Sequence, residues 1–303
     1  MNIDYLDTLA NRALRKFGIK DCIAVFNKIS ENATYFVYND SGVPIYTLRL
    51  SNEGSRSLQE LEAELKWISS IGKEVSIIRP AVNEVVQVDG KYCVLFNYVS
   101  GHNPVIDNKN TMLAIGRLAA KLHSYSNVSL NRPMWTVNNM VGTRGLWGNW
   151  RENEDLSLGQ INIIDNVIED ISSKINKYNT DKFGLIHNDL RIANIVKNRT
   201  YTAIDFDDCG YGYYMQDLAS SLSFIEMRDD IERFKEYWIE GYETVASLTE
   251  EDKNMADYFI VIRRIQLLAW ITTRQYNAYI RSITNYFAKD TVRIVRMFKE
   301  KYY

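Results

Sequence analysis

The sequence predicts an α+β protein in two lobes. Three observations carry this: strand-forming runs fill the first third, helical periodicity fills most of the rest, and the texture changes between Asn97 and Gly101. A chain of 303 residues, 46% of them hydrophobic, has enough apolar side chain for a substantial core. The expected division is residues 1–97, mainly antiparallel strands with one main helix, and residues 98–303, mainly helices.

The elements follow in order. After a short amphipathic opening helix, CIAVFNKISENATYFVYNDSGVPIYTLRL holds three runs rich in Val, Ile, Tyr and Phe, broken at SENAT and NDSG, which predicts a three-stranded antiparallel meander. In SLQELEAELKWISSIG, Leu58, Leu61, Leu65 and Ile68 recur at helical spacing, and Gly72 is the expected stop. VVQVDGKYCVLF reads as a hairpin closed by an Asp-Gly turn. Past Gly101, Ile115, Leu118, Ala119 and Leu122 share one helical face, which makes His123 a packed or capping histidine. MWTVNNMVGTRGLWGNWREN, with three tryptophans and three glycines, is expected to be a long ordered loop.

Composition excludes several classes. A formal net charge of -2 and a pI near 6.0 argue against a protein that holds nucleic acid mainly through its phosphates. Three widely spaced cysteines, Cys22, Cys93 and Cys209, provide neither a disulfide framework nor a cysteine zinc site, and fit a reducing compartment. The N-terminus lacks a continuous apolar signal region, and the apolar runs FIVI and LLAWI are interrupted by Arg263 and Arg264. The expectation is a cytoplasmic protein without a membrane span.

The chemistry concentrates in GLIHNDLRIANIVKNRTYTAIDFDDCGYG, residues 184–212. Two apolar strand-like runs flank HNDLRIAN, so that segment is a tight loop, and a turn at KNRTY brings Asp205 back beside it. Two carboxylates and an amide oxygen form a hard-oxygen set, suited to Mg²⁺ that keeps waters and takes substrate phosphates as further ligands. A carboxylate off the metal can accept a proton from an attacking hydroxyl, and an arginine two residues away can offset charge on a transferring phosphoryl group. Asp189 and Arg191 have those chemistries at that spacing.

His187, Asp189 and Asn194 fit H-x-D-x-x-x-x-N, and the stretch resembles the catalytic loop of protein kinases and of aminoglycoside phosphotransferase-like small-molecule kinases. The resemblance implies a bilobal protein-kinase-like fold, ATP and Mg²⁺ as cofactors, and transfer of the γ-phosphoryl group to a hydroxyl of a small molecule. It implies that Asp189 orients or deprotonates the acceptor, that Arg191 lies near the γ-phosphate, that Asn194 and Asp205 bind the metal, and that His187 props the loop. Asp217 matches the family's later aspartate, which holds that loop, while by local chemistry it is also a plausible N-cap for the helix LASSLSFIEM. Arg49 falls where kinases place a phosphate-contacting lysine, Glu64 falls at its helical ion-pair partner, with Glu60 and Glu62 competing, and the backbone of Asn97 and Val99 would hold adenine.

Two departures from the pattern stand out. The first turn, KISENATYFV, has no glycine, so Ser30, Asn32 and Thr34 would have to contact phosphate; and Arg49 replaces lysine, which is not an equivalent cation. Asp207 is left between a turn-stabilising role and a bridge to a second metal or a cationic substrate, and Asp208 has no assigned role. Tyr211, Tyr213, Tyr214, Trp135, Trp147 and Trp150 are either core or the lining of an acceptor pocket. A haloacid dehalogenase-type phosphatase is disfavoured, because its aspartate pair comes early in the chain. No A-P-E segment or activation loop follows IDFDD, which disfavours a eukaryotic protein kinase. A stress-response Ser/Thr protein kinase and a nucleotide-binding pseudokinase are the alternatives to a small-molecule kinase.

Overall fold

The computed structural model describes residues 3–29, 31–52, 54–106 and 109–303; Ser30 lies outside them. In chain order the elements are α1 (Ile3–Lys16), β1 (Cys22–Ile29), β2 (Asn32–Asn39), β3 (Pro44–Ser51), α2 (Leu58–Ser70), β4 (Val86–Val88), β5 (Lys91–Asn97), α3 (Lys109–His123) and α4 (Val137–Val141). They continue with α5 (Leu158–Asn176), β6 (Phe183–Ile186), β7 (Ile195–Lys197), β8 (Tyr201–Ala203), β9 (Gly210–Tyr213), α6 (Met215–Ser221), α7 (Ile231–Glu243), α8 (Glu250–Thr273) and α9 (Ala278–Tyr302).

The chain forms two compact units, and the first comprises Met1–Pro104, Val128–Arg132 and Ala193–Asp207. It therefore extends past the expected limit at residue 97 and takes in Asn194, Asp205 and Asp207, which the sequence division put with the helices. The cause is the β7–β8 hairpin. Ala203 N–H donates to Ser76 O at 3.1 Å, Ile78 N–H donates to Ala203 O at 2.8 Å, and His102 and Lys197 exchange backbone bonds of 3.1 and 2.7 Å.

The first unit is built on a five-stranded antiparallel sheet of order β1-β2-β3-β5-β4. The expected meander is β1 to β3, and its register sets Thr34 opposite Arg49. Asp89 and Gly90 close the hairpin at φ 47° and 80°, the two left-handed residues that a tight two-residue turn needs. One apolar core joins Leu6, Leu9 and Leu14 of α1 to Tyr35, Val37, Leu48 and Leu95 of the sheet. The N-terminus of α2 carries a capping box in which Ser57 and Glu60 bond reciprocally. Its C-terminus falls where expected, with Ile71 the extended C-cap and Gly72 the next residue, although Gly72 does not take the left-handed conformation. The guanidinium of Arg79 binds the carbonyl of Ile68 in the last turn and those of Ile71, Gly72 and Val75 just beyond it at 2.6–3.1 Å, tying down the chain as it leaves the helix.

The second unit comprises Val105–Asn127, Pro133–Ile192 and Asp208–Tyr303. Its helices α3 and α7 approach through glycines: a Cβ on Gly116 would lie 2.0 Å from Trp238 O, and one on Gly241 2.1 Å from Leu113 O. Only a residue without a side chain permits that crossing. The tryptophan-rich loop is ordered as expected, containing α4 and a 3-10 turn whose Trp150 is fully buried and donates to Val141 O at 2.9 Å. The helix expected over LASSLSFIEM is shorter: α6 starts at Met215 and ends at Ser221. In α8 an otherwise apolar run buries both Arg263 and Arg264. Among the described residues no helix is long and apolar enough to cross a membrane.

Candidate active site

The loop between β6 and the end of HNDL belongs to the second unit, and its shape follows from where its amides bond. Asp217, fully buried on α6, accepts from His187 N–H at 3.0 Å and from Asn188 N–H at 2.7 Å. Asp189 N–H donates to His187 Nδ1 at 3.3 Å, and Leu190 N–H donates to Ser220 Oγ at 2.9 Å. Four successive amides that no strand partner serves are thus satisfied by side chains. Asn188 takes a left-handed φ of 61°, a conformation that asparagine tolerates better than most residues. Asp217 is not the N-cap of its helix. It lies in the first turn of α6, whose N-cap residue is Tyr214.

His123, behind this loop, is packed as expected. Its Nε2 meets Asp217 Oδ2 at 3.0 Å, its Nδ1 faces the Tyr242 hydroxyl at 3.0 Å, and its ring stacks on Tyr214. His187 is fully buried and bonds within the loop.

Asp189 is held by two arginines. Arg191 Nε donates to Oδ2 at 3.1 Å, and Arg263 Nη2, from α8, donates to Oδ1 at 2.5 Å. Burial alone would push this carboxyl upward, but Arg191 and Arg263 outweigh it and hold the group below the usual carboxylate range. It is therefore ionised at neutral pH. Sequence reasoning missed Arg263, 74 residues away, and treated it only as a break in an apolar run. The available signal was a charged pair inside an apolar helix of a chain read as having no membrane span, since such charges require buried partners.

The remaining expected site residues lie in the first unit. Asn194 is buried at the start of the β7–β8 hairpin and Asp205 is exposed just after it. Ile204 N–H donates to Asn194 O at 2.9 Å, which ties the two positions together, and Asp205 has a left-handed φ of 68°. Among the described residues no group of three or more His, Cys, Asp or Glu is set to hold a metal. An amide and one carboxylate instead make an open set of hard oxygens, which fits a Mg²⁺ ion that completes its shell with water and phosphate oxygens.

Arg49 and Glu64 form a bidentate pair of 2.9 and 2.6 Å, with side-chain exposures of 7% and 0%. This is no surface pair: stranding either partner would cost about 3–5 kcal/mol. Glu64, and not Glu60 or Glu62, is the partner; Glu60 serves the capping box. Burial alone would lower Arg49, but Glu64 and Asp207, with Asp205 behind them, fix it as a cation.

Asp207 is an anchor for arginines. Arg49 and Arg56 lie 3.8 and 3.7 Å from its Oδ1, Asn32 Nδ2 donates to its Oδ2 at 3.3 Å, and Arg132 Nη2 donates to its backbone O at 2.5 Å. Burial would raise its carboxyl, and Arg49, Arg56 and Arg132 bring it down instead. Asn32 is thereby committed to Asp207, while Thr34 stands on β2 beside Arg49. At the end of β5, Tyr98 N–H donates to Ile45 O at 3.0 Å, and Asn97 N–H turns the other way to Arg79 O at 2.8 Å. Strand alternation leaves the Asn97 carbonyl on that second side, pointing away from β3.

Most of the six singled-out aromatics are packing groups. Trp135 and Trp150 are buried, Tyr213 packs on Tyr178, Phe183 and Phe259, and Tyr214 stacks on His123. Trp147 differs, because the Arg263 guanidinium lies 4.6 Å above its ring.

Comparison with known proteins gives one consistent answer. The profile of the phosphotransferase enzyme family matches residues 23–253. The chain is 24% identical over 264 residues to the amicoumacin kinase of Bacillus subtilis (strain 168), covering 80% of this chain and 72% of that protein. The solved structure of a microcompartment-associated aminopropanol kinase superposes with a TM-score of 0.86 at 28% identity, covering 97% of this chain and 98% of that one. The amicoumacin kinase hAmiN, in complex with AMP-PNP, Ca²⁺ and Ami, superposes with a TM-score of 0.71 at 17% identity, over 89% of this chain and 88% of that one.

Proposed function

Since this chain belongs to the phosphotransferase enzyme family, with a protein-kinase-like fold, and is a kinase of small-molecule hydroxyl groups, we propose that it works with ATP and Mg²⁺ in the cytoplasm on a short amino alcohol. The observation that carries the reading is Asp189, an ionised carboxylate fixed by Arg191 and Arg263 on a loop shaped by Asp217. The amino alcohol class is suggested by the aminopropanol kinase, which matches over nearly the whole of both chains. The relatives are small-molecule kinases, which favours this reading over a Ser/Thr protein kinase or a pseudokinase.

In this reading the acceptor hydroxyl gives its proton to Asp189 while its oxygen bonds the γ-phosphorus. The bond from that phosphorus to the bridging oxygen breaks, leaving ADP. Arg191 offsets charge on the transferring group. Asn194 and Asp205 would hold the Mg²⁺, whose charge neutralises the phosphates when it is bound. Arg49, kept in place by Glu64, supplies a fixed positive charge for the phosphates, and its aromatic neighbour Phe96 lies 5.4 Å below the guanidinium. Thr34 lies beside it, and the Asn97 carbonyl and Val99 N–H take the adenine edge.

The test is ADP release together with phosphorus NMR of the product, with ATP, MgCl₂ and a panel of 1-amino-2-propanol, ethanolamine, choline, homoserine and an aminoglycoside. Phosphorylated 1-amino-2-propanol or ethanolamine is expected; turnover confined to the other acceptors would overturn the amino alcohol assignment. The metal assignment predicts an ordering of two variants. Asp205→Asn is expected to weaken Mg·ATP binding at least about 10-fold, and Asp207→Asn to weaken ATP binding equally with and without Mg²⁺. Calorimetric titration showing the reverse order would mean that Asp207 holds the ion.

A further inference from the structure

We infer that Arg263 is the positioning residue that decides which oxygen of Asp189 receives the acceptor's proton. This rests on the reading of Asp189 as proton acceptor and deepens it. Every nitrogen of the Arg263 guanidinium is committed: Nε to Ser223 Oγ at 3.1 Å, Nη1 to Gln266 Oε1 at 3.1 Å, and Nη2 to Asp189 Oδ1 at 2.5 Å. One face lies on Trp147 at 4.6 Å, and the side chain is 2% exposed. A planar fork fixed at three points and on one face is held in one orientation, so it fixes the position of Oδ1.

Arg191 grips the other oxygen differently. Its side chain is 35% exposed, its Nε donates to Oδ2 at 3.1 Å, and its guanidinium lies 5.9 Å from the Phe224 ring. This is the bond that an incoming hydroxyl can replace. The acceptor O–H therefore docks on Oδ2 and leaves its proton there, while Oδ1 stays bonded to Arg263 and keeps the carboxylate plane fixed. The charged and titratable groups facing Asp189 are Arg191, Arg263 and His187, with Asp208 acting on Arg263 from the opposite sign.

The alternative is that Arg263 merely ties α8 to the loop, and a double-mutant cycle separates the two. With ATP, MgCl₂ and 1-amino-2-propanol, R263Q is expected to lower kcat about 100-fold, with both Michaelis constants changed less than about 3-fold, since misorientation affects the transition state more than binding. Losing the cation raises the Asp189 pKa, so the acid limb of the rate profile moves to higher pH, and R263K restores part of both. In a D189N background R263Q should add no further loss, because it acts through that carboxylate. The midpoint of the Asp189 carboxyl carbon, followed by NMR without acceptor, should rise in R263Q. S223A and Q266L, which loosen the guanidinium without removing it, should lower kcat in the same direction and keep the proposal testable if R263Q does not fold. R263Q at wild-type kcat beside an inactive D189N, or an unmoved Asp189 midpoint, would overturn the proposal alone. Full activity in D189N would overturn the underlying assignment with it.

Discussion

Asp189→Asn is expected to lower kcat by about 10³-fold while ATP affinity changes little, within the span over which a positioned proton acceptor accelerates a reaction. The amide keeps the size of the carboxylate but cannot take the proton, so the loss falls on transfer. ATP binding should be spared, because Asp189 is assigned to the acceptor hydroxyl, whereas Arg49, Asn194 and Asp205 are assigned to the nucleotide and its metal. The pH profile provides a second check. Burial works to raise this carboxyl, Arg191 and Arg263 work to lower it, and the arginines prevail. A depressed pKa keeps the active, ionised form present to lower pH, so the acid limb of the wild-type profile should fall below the usual carboxylate range. The same sign applies to stability: the favourable contribution is complete above the unfolded-state pKa and is lost as pH falls through the folded one. Steady-state rates over pH with each variant, and isothermal titration with ATP, measure both effects. Equal loss of ATP affinity and turnover in D189N would move Asp189 from proton transfer to nucleotide binding.

What the sequence disclosed and what it hid follow from range. The loop HNDLRIAN, the hairpin return to Asp205, the Asp-Gly turn and the switch from strands to helices are local patterns, and each has its counterpart in the fold. The Arg49–Glu64 pair, 15 residues apart, was also within reach, because the partners lie on consecutive elements joined by one short strand-to-helix connection. The partners of Asp207 were not. Asn32 and Arg132 lie 175 and 75 residues away, and neither stands in any periodic pattern that would mark it. The same holds for Arg79 at the end of α2: the sequence marked the stop at Gly72, but the guanidinium that closes it arrives through space. Asp207, an unexplained carboxylate in sequence, becomes intelligible only as the counter-charge of Arg49, Arg56 and Arg132. Its commitment to them argues against a role as second metal bridge.

Asp217→Ala is expected to be strongly destabilising, lowering the unfolding free energy by about 3–5 kcal/mol, as does removal of one partner of a buried, hydrogen-bonded charge. Three donors converge on this fully buried carboxylate: His187 N–H, Asn188 N–H and His123 Nε2. Without it, two backbone amides lose their acceptor where no strand partner replaces it, and the left-handed turn at Asn188 loses its restraint. Asp217→Asn should be nearly as damaging, because one carboxamide position presents N–H groups where an acceptor is required. Both variants should therefore lose catalysis by misplacing Asp189, although neither removes a group that touches substrate. An N-cap role would predict something much smaller, about 1 kcal/mol and no loss of loop geometry. Chemical denaturation measures the difference, and hydrogen exchange at the His187 and Asn188 amides locates it: exchange there should accelerate far more than in α3 or α8. Uniform acceleration across the second unit would mean instead that Asp217 supports the helical core, not the loop.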